Sequence, residues 1–464
     1  MIDYKVKLKK VKEPQKDCSG INVALTDETI KERQEKVLAK MRERGLDQLV
    51  VYGDVEHCGN FEYLVGYFTR FEEALLVINA NGEFKLVLGN ENLNKVSKAR
   101  ITASAIHATL FSLPNQPTDK NKTFKELLIE AGINEGSRIG IVGWKMFTSS
   151  IEDNKKMFDV PYFIVNTIKQ IVKNDDLLTN EADLFIGEDG TRTTNNANEI
   201  AHYEFGAALA SDCILDAMNK IEVGVSNLEI GDTLIRNGQH TSIVTIATSG
   251  SRFVKANMFP DNHKVELAEP ISLTVGYRGG SSSRSSFIVN DESQLPDGQK
   301  DYIEAIAIPY FKAYVKWIEE VEIGMTGGEI FNKVDEILPR SKYGWSLCPG
   351  HLTAEEEWMS SPIYEGSKEK IRSGMLMQID IIPCVAGYQG VSAESTVLIA
   401  DDKLKLEIKT QYPDMWNRMQ ERTKYIKEEL GVNLSKDILP MCSTLAYLRP
   451  YLLAKDIALA IEED

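Results

Sequence analysis

Cysteine is sparse in this sequence, and no two cysteines stand close together. Six are spread over 464 residues, without any C-x-x-C pair. The disulfide frameworks of secreted domains and zinc knuckles both need cysteines at short, regular spacings, so neither is expected here. The pattern instead predicts reduced thiols and a cytoplasmic protein.

Long apolar runs are also missing. No stretch of 18 or more apolar residues occurs, so no transmembrane helix is predicted. Residues 1–16 are rich in lysine but contain no apolar core, which argues against a secretory signal. We therefore expect no membrane partner.

Positive charge is in deficit. The chain has 53 Lys and Arg against 69 Asp and Glu, a formal net charge of −16. Because phosphate backbones are bound by clustered Lys and Arg, a nucleic-acid partner is not expected. A nucleotide site is not expected either, since the glycine-rich segment 276–280 lies in a predicted hairpin and not before a helix. The remaining expectation is a small-molecule substrate.

Length and periodicity predict two domains. The chain is too long for one ordinary core, and its 43% apolar and 26% charged content is typical of globular proteins. Helices alternate with strands over residues 25–166, which predicts an α/β domain. Within it, Thr26 and Gly45 bound a predicted helix. Asn79–Gly82 turns a predicted hairpin, and Pro161–Val165 is predicted to be a strand.

A polar boundary at Leu177–Asn198 separates this domain from the rest of the chain. Beyond it, helical stripes at Ile200–Ile221 and Tyr302–Val321 accompany strand-like runs joined mostly as hairpins, which favours an α+β domain. Asp414–Leu430 is a further predicted helix. The predicted organisation is an arm at 1–25, an α/β domain at 26–180, a catalytic-type domain at 190–405 and a helical C-terminal extension at 406–464.

The residues that carry chemistry lie between Trp345 and Thr396. His351 follows a glycine, and Asp380 and Glu394 each belong to a separate β-patterned run. Paired strands can direct such groups into one pocket, because alternate side chains share a face. An imidazole and two carboxylates are enough for a metal site or an acid/base site.

The order of several short segments resembles a known superfamily. The segments are Thr248–Gly250, the hairpin Ile271–Phe287, Gly350–His351, Ser373–Met375 and Glu394–Leu398. Together they resemble the "pita-bread" superfamily of creatinase, aminopeptidase P and methionine aminopeptidase, over roughly residues 25 to 400. The resemblance implies an N-terminal creatinase-like α/β domain, a pita-bread domain and hydrolysis of a carbon–nitrogen bond.

The same resemblance implies a degenerate metal site. The superfamily's peptidases hold two divalent metals through two Asp on the hairpin, a His and two Glu. Position by position, the hairpin Asp residues fall on Thr274 and near Ser281, and the other three ligands fall on His351, Asp380 and Glu394. Two carboxylates are missing, so a dinuclear site is not expected.

Creatinase, the metal-free branch, uses a histidine to move protons. By spacing from Gly250, that histidine falls on Asn257, and an amide cannot move a proton at neutral pH. His263, further along the same loop, is the alternative shuttle. Phe68 and Arg70 resemble the Phe-x-Arg segment with which creatinase reaches into its partner subunit to hold a carboxylate. A homodimer is therefore expected.

Several further residues are expected to line the pocket. The serine-rich run Ser281–Ser286 offers hydroxyls, Arg284 could receive an anion, and Glu355–Glu357 could frame a cation or form a solvated turn. The predicted substrate-binding residues are Phe68, Arg70, Phe253, Asn257, Thr274, Ser281 and Arg284.

Three interpretations of the central residues remain open. His351, Asp380 and Glu394 could bind one Mn, Fe or Zn ion. They could instead form a metal-free acid/base cluster, which we favour, in which one carboxylate holds a proton and the imidazole becomes more basic. Their pocket could also be inactive.

The corresponding functions follow from these alternatives. The first is a metal-independent hydrolase, without a cofactor, of an amide or amidino bond in a small polar substrate. The second is a metal-dependent Xaa-Pro dipeptidase or aminopeptidase. The third is a catalytically silent member that binds a ligand or a protein.

Overall fold

The computed structural model describes residues 5–116, 122–251, 255 and 258–462. The predicted pocket residues Phe253 and Asn257 lie outside these ranges. The chain forms two compact units. The smaller unit is Leu25–Thr193, and the larger unit combines Met1–Ala24 with Thr194–Asp464.

Both units contain strands and helices. In chain order the strands of the described ranges are β1 (Val6–Lys10), β2 (Gln48–Gly53), β3 (Ala74–Asn79), β4 (Phe84–Leu88), β5 (Ala103–His107), β6 (Ile139–Val142), β7 (Leu178–Asn180), β8 (Ile246–Ser249), β9 (Pro270–Tyr277), β10 (Gly280–Phe287), β11 (His351–Leu352), β12 (Leu376–Gln378), β13 (Ser392–Glu394), β14 (Thr396–Ile399), β15 (Ile438–Pro440) and β16 (Ile457–Ile461). The α-helices are α1 (Asp27–Arg44), α2 (Gly59–Val65), α3 (Phe124–Glu130), α4 (Tyr162–Val172), α5 (Asp183–Ile186), α6 (Ala197–Lys220), α7 (Asn227–Gly231), α8 (Ile308–Glu320), α9 (Gly327–Ile337), α10 (Arg340–Tyr343), α11 (Asp402–Gln411) and α12 (Pro413–Leu430).

The smaller unit is built on one mixed sheet of six strands, in the order β5-β4-β3-β2-β6-β7. Apolar side chains from its central strands and from α3 and α4 form one buried cluster. The predicted helix α1 is confirmed at both ends. The Thr26 hydroxyl accepts a hydrogen bond from the Thr29 N–H, and Gly45 ends the helix with a left-handed φ of 64°. The β3–β4 hairpin is confirmed too.

The predicted strand at Pro161–Val165 is wrong, because this segment begins α4. Proline precedes the first helical residue, a position where its missing N–H costs nothing. Ile164, Ile168 and Ile171 then recur at helical spacing and are buried. A window of five aromatic, β-branched and proline residues is too short to distinguish the helical repeat from the alternating repeat of a strand.

The larger unit contains two antiparallel sheets of four strands, in the orders β13-β10-β9-β8 and β11-β12-β14-β15. The long helix α6 packs against β9 and β10. Only Ser395 separates β13 from β14, so at this residue the chain passes from one sheet to the other. Polar side chains that end strands near this crossing can therefore share one pocket.

The first residues of the larger unit are tied to its C-terminal part. β1 pairs antiparallel with β16, with Val6 opposite Ile461. Further along, the carboxylate of Asp17 accepts hydrogen bonds from Arg422 at 2.6 and 2.9 Å, and Arg422 also donates to Glu204 at 2.6 Å. The strand could not be found by periodicity, since its partner lies at the other end of the sequence.

Within the described ranges, none of the helices has the length and apolar character that crossing a bilayer requires.

Candidate active site

The candidate site lies where the two sheets of the larger unit meet. His351 begins β11 and stands opposite Gln378 of β12, and Asp380 follows two residues later. Glu394 ends β13 in the other sheet. The Ile379 N–H donates to the Ser395 carbonyl at 3.1 Å, which holds the two sheet ends together. Residues distant in the sequence thereby reach one place.

His351, Asp380 and Glu394 converge as expected. One potential ligand atom from each lies within 4.8 Å of the others. The side chains are buried, with exposed fractions of 0%, 6% and 6%. Burying an imidazole beside two carboxylates costs free energy, and such clusters are therefore candidate functional sites. The geometric part of the prediction is met, and the catalytic roles remain a prediction.

The imidazole of His351 is held on three sides. Nδ1 donates to its neighbour's carbonyl, Leu352 O, at 3.2 Å. Nε2 lies 3.1 Å from Oε1 of Glu357. The protonated ring and this carboxylate form an ion pair, and Nε2 has no hydrogen-bond partner among the described residues. The ring stacks on Trp358, with centroids 4.1 Å apart and planes 21° apart.

These surroundings make His351 a base that is protonated at neutral pH. Burial by itself lowers the pKa of His351. The contact with Glu357 and the charges of Glu357, Asp380 and Glu394 outweigh burial and raise that pKa to about 9. The imidazole therefore carries a positive charge at pH 7.

The pKa values of both carboxyl groups, Asp380 and Glu394, are raised. Burial raises the pKa of Asp380 to about 6, although the charge of His351 lowers it. Burial, followed by the charges of Asp380 and Glu357, raises the pKa of Glu394 well above its usual value. Among the described residues, Oδ1 of Asp380 is buried without a hydrogen-bond partner. At pH 7 Asp380 is therefore mostly ionised, and Glu394 is a weaker acid than an exposed glutamate would be.

A hydrogen-bond network fixes the orientation of Glu394. Its Oε1 accepts from the Ser281 hydroxyl at 2.7 Å and from Nε2 of Gln378 at 3.0 Å. Gln378 also donates to the Ser281 carbonyl, and its own oxygen accepts from Thr396. The predicted pocket residue Ser281 therefore acts at this site as a hydrogen-bond donor.

The hairpin β9–β10 brings hydroxyl groups, and no carboxylates, to the neighbouring positions. Ser283 stands opposite both Thr274 and Glu394 in the strand register. The hydroxyls of Thr274 and Ser283 are 2.8 Å apart and hydrogen-bonded. These neutral groups cannot offset the charge of a second divalent ion.

Arg284 does not fit its expected role as a receptor for an anion. Its five N–H groups are already engaged: Nε with the Tyr447 carbonyl, one terminal nitrogen with the carbonyls of Ser283 and Glu394, and the other with the Thr444 carbonyl and the Ser395 hydroxyl. The side chain is only 2% exposed. The physical reason is strand parity, since Arg284 points to the opposite face from Ser283.

The other expected pocket residues in the described ranges are Phe68, Arg70 and His263, whose own surroundings are as follows. Arg70 is exposed in the smaller unit, with its guanidinium 5.9 Å from the centre of the Phe71 ring. Phe68 is half-buried in the same loop. His263, the alternative shuttle, lies 3.0 Å from both carboxylate oxygens of Glu269. The roles of all three remain predictions.

The sequence pattern assigned no role at the site to Gln378, and it named Ser283 and Glu357 only as members of the runs Ser281–Ser286 and Glu355–Glu357. Ser283 and Gln378 reach the site because of strand register, and register is known only once it is known which strands pair. Glu357 was assigned to a cation frame or a solvated turn, yet it is only 15% exposed and contacts His351. A run of three glutamates that begins four residues after the histidine was the signal for it.

The donor set does not fit the paired divalent ions of the peptidases that the sequence resembles. Both hairpin ligands are replaced by neutral hydroxyls, and only three of the five ligand positions keep an imidazole or a carboxylate. Those three groups lie close enough together to hold one ion. The surviving arrangement is equally suited to proton transfer between an imidazolium and a carboxylate.

The chain has the two-domain pita-bread fold, which confirms the α+β fold class expected from the sequence resemblance. It is similar to an Xaa-Pro dipeptidase from Bacillus anthracis, with 15% identity, a TM-score of 0.60 and coverage of 81% of this chain and 96% of that chain. It is also similar to a prolidase from Pyrococcus horikoshii OT3, with 18% identity, a TM-score of 0.59 and coverage of 80% of this chain and 95% of that chain. An X-Pro aminopeptidase from Thermotoga maritima MSB8 has 15% identity and a TM-score of 0.59, with coverage of 79% of this chain and 95% of that chain.

The sequence itself matches no protein-family model and no curated protein. The Xaa-Pro peptidases named above share this fold. At these identities the likeness establishes the fold, and the reaction must be argued from the site.

Proposed function

We propose that this protein hydrolyses a carbon–nitrogen bond of an amide or amidino type in a small polar substrate. The observation that supports the proposal most strongly is the buried convergence of His351, Asp380 and Glu394. The peptidase names of the structural neighbours point to the same bond class, since a peptide bond is a carbon–nitrogen bond.

The proposed reaction divides two proton transfers between two groups. Asp380, ionised above about pH 6, takes a proton from a water molecule as the water oxygen bonds to the substrate carbon. His351, protonated below about pH 9, gives a proton to the nitrogen as the carbon–nitrogen bond breaks. Glu394, anchored by Ser281 and Gln378, orients a polar group of the substrate.

The proposal includes the expectation that hydrolysis needs no metal. It is supported by the neutral hydroxyls of Thr274 and Ser281 at the hairpin positions and by the contact of His351 Nε2 with Glu357. Both observations concern residues that the two-metal mechanism would need in another form.

A second candidate is a peptidase acting on Xaa-Pro dipeptides. It is favoured by the names of the neighbours and by the three groups that could hold one ion. In that case activity would depend on added metal and would be restricted to dipeptides with proline in second place.

The experiment is a hydrolysis screen with two substrate panels, one of small amides and amidino compounds and one of Xaa-Pro dipeptides. Each panel is run after treatment with EDTA and again with added Mn²⁺. We expect release of amine from a member of the first panel, with or without metal, and at least a hundredfold loss in His351→Ala and Asp380→Asn. Mn²⁺-dependent cleavage of Xaa-Pro dipeptides alone would replace the proposal by the second candidate.

We also propose that the active form is a homodimer in which Phe68 and Arg70 serve the partner's site. The support is the exposed Arg70, whose guanidinium suits a carboxylate group. Light scattering during size-exclusion chromatography should give twice the chain mass. If Arg70→Ala left KM unchanged for a carboxylate-bearing substrate, the second half of this proposal would be wrong.

A further inference from the structure

One carboxylate of the smaller unit is buried without a counter-charge. Glu72 lies two residues before β3 and is only 3% exposed. Its Oε2 accepts hydrogen bonds from the backbone N–H groups of Glu91 at 2.9 Å and Asn92 at 3.3 Å. Its Oε1 has no hydrogen-bond partner among the described residues, and none of their basic side chains forms an ion pair with Glu72. Burying an ionised carboxylate is costly unless a positive charge lies beside it.

A second buried oxygen without a partner belongs to a residue that contacts Glu72. Asn92 follows β4 and is 0% exposed. Its Nδ2 donates to the backbone carbonyls of Arg70 at 3.5 Å and Glu72 at 3.4 Å. These contacts assign the orientation of the amide, because only the nitrogen can donate to a carbonyl. Oδ1 is then left without a donor among the described residues. Two neighbouring side chains therefore each have an oxygen that still needs a positive partner.

The backbone beside these oxygens leaves room for the carboxylate. Gly89 is the first residue after β4, and a Cβ atom there would lie 2.5 Å from Oε2 of Glu72 and 2.9 Å from the carbonyl carbon of Phe111. A larger residue at this position would displace the carboxylate. Glu72 and Asn92 are thus both held in place by backbone groups, while one oxygen of each is left over.

The chemistry of these oxygens favours a hard cation. Carboxylate and amide oxygens bind alkali and alkaline-earth ions in preference to the soft metals that thiolates select. Glu72 supplies one negative charge, and Asn92 is neutral. One monovalent ion balances that charge, whereas a divalent ion would leave an uncompensated positive charge in a buried place.

We propose that Glu72 and Asn92 bind one monovalent cation, Na⁺ or K⁺. The ion joins the loop that ends at Glu72 to the segment after β4, and so orders the loop that carries Phe68 and Arg70. This site lies in the smaller unit, and it holds whether or not the proposed hydrolysis takes place.

The direct test uses Tl⁺, which resembles K⁺ in charge and size and scatters anomalously. Crystals of the full chain grown without sodium or potassium are soaked in thallium acetate. We expect one anomalous peak at bonding distance from both Oε1 of Glu72 and Oδ1 of Asn92. A water molecule without anomalous signal at this place, or a direct contact between the two oxygens through a proton, would overturn the proposal.

Thermal unfolding of the wild type tests the site in solution. The midpoint is compared in KCl, NaCl and choline chloride at equal ionic strength, since choline is too large for a buried site. An ion that is half-bound at a tenth of the salt concentration used should raise the midpoint by about 2–4 °C over choline. Equal midpoints in the three salts would contradict the proposal. A larger rise with CaCl₂ than with either alkali salt would contradict the monovalent assignment.

Two variants and a matched control locate the effect. Glu72→Gln should abolish the difference between the salts, whereas Glu91→Gln, which changes an exposed neighbour, should keep it. Asn92→Asp adds a second carboxylate and should increase the difference. If no ion binds, two adjacent buried acids should instead lower the midpoint of Asn92→Asp alike in every salt, and that result would overturn the proposal even if Glu72→Gln did not fold.

Discussion

At the scale of the single residue, burial and neighbouring charges give the titratable groups of the site pKa values that differ from those of exposed groups. Asp380 and Glu394 are both buried acids, yet only Glu394 receives hydrogen bonds from Ser281 and Gln378. His351 is buried but is more basic than an exposed histidine. Because the pKa of Asp380 is about 6 and that of His351 is about 9, there is a range of pH in which Asp380 can take a proton and His351 can give one.

This arrangement predicts a bell-shaped dependence of kcat/KM on pH. The rate should fall below about pH 6, where Asp380 becomes protonated and cannot take a proton from water. It should fall again above about pH 9, where His351 loses the proton that it gives to the leaving nitrogen. Initial rates between pH 4 and 10 test this, and a profile flat across pH 6 in the wild type would contradict the role of Asp380.

Arg284 gives a prediction about stability. Arg284→Met leaves the carbonyls of Ser283, Glu394, Thr444 and Tyr447 buried with fewer donors, which should lower the free energy of unfolding by about 3–5 kcal/mol. Urea unfolding followed by fluorescence measures it. The matched control is Arg70→Met, an exposed arginine whose loss should cost less than about 0.5 kcal/mol. Equal effects of the two changes would show that the buried hydrogen bonds of Arg284 contribute little.

The sequence located His351, Asp380 and Glu394 because each sits in a short motif with its own signature. It assigned Arg284 wrongly because the face to which a strand residue points depends on register, and one step along the strand reverses it. It missed Gln378 because its place at the site depends on the same strand register. Glu357 was visible as a charge, but its burial depends on the course of the loop after His351.

At the scale of the element, helices were predicted better than strands. Helix α1 was bounded correctly at both ends because Thr26 and Gly45 act locally on the backbone. Pro161–Val165 was assigned as a strand because a run of aromatic and β-branched residues is ambiguous over five residues. Strand β1 escaped prediction because β16, with which it pairs, is remote in the sequence.

The attachment of the first residues can be tested through Asp17. Its bidentate ion pair with the buried Arg422 fastens the segment that follows β1. Asp17→Asn leaves Arg422 with Glu204 alone and should raise proteolytic cleavage and amide hydrogen exchange over residues 5–18. Mass spectrometry of the exchanged peptides measures this.

The control for Asp17 is the surface pair of Lys10 with Asp456, at 3.1 Å. Both side chains are more than half exposed, so Asp456→Asn should leave exchange in residues 5–18 nearly unchanged. Similar exchange in both variants would mean that the segment is held mainly by the β1–β16 ladder.

At the scale of the whole molecule, the fold is similar to that of Xaa-Pro peptidases, and the candidate site joins one imidazole and two carboxylates to neutral hydroxyl groups. Of the five positions that the sequence resemblance matches to metal ligands, three carry an imidazole or a carboxylate, and the two on the hairpin carry Thr274 and, near the second, Ser281. One fold can hold different polar groups at the ends of its strands, because it depends on the apolar pattern of the strands and helices.

The most direct test of this account is an electron-density map of crystals soaked in Mn²⁺, with anomalous scattering recorded to locate the ion. The account predicts His351, Asp380 and Glu394 within about the 4.8 Å separation described above, Glu357 against the imidazole, and no pair of anomalous peaks. Two peaks a few ångströms apart between these residues, or the three side chains out of reach of one another, would contradict it.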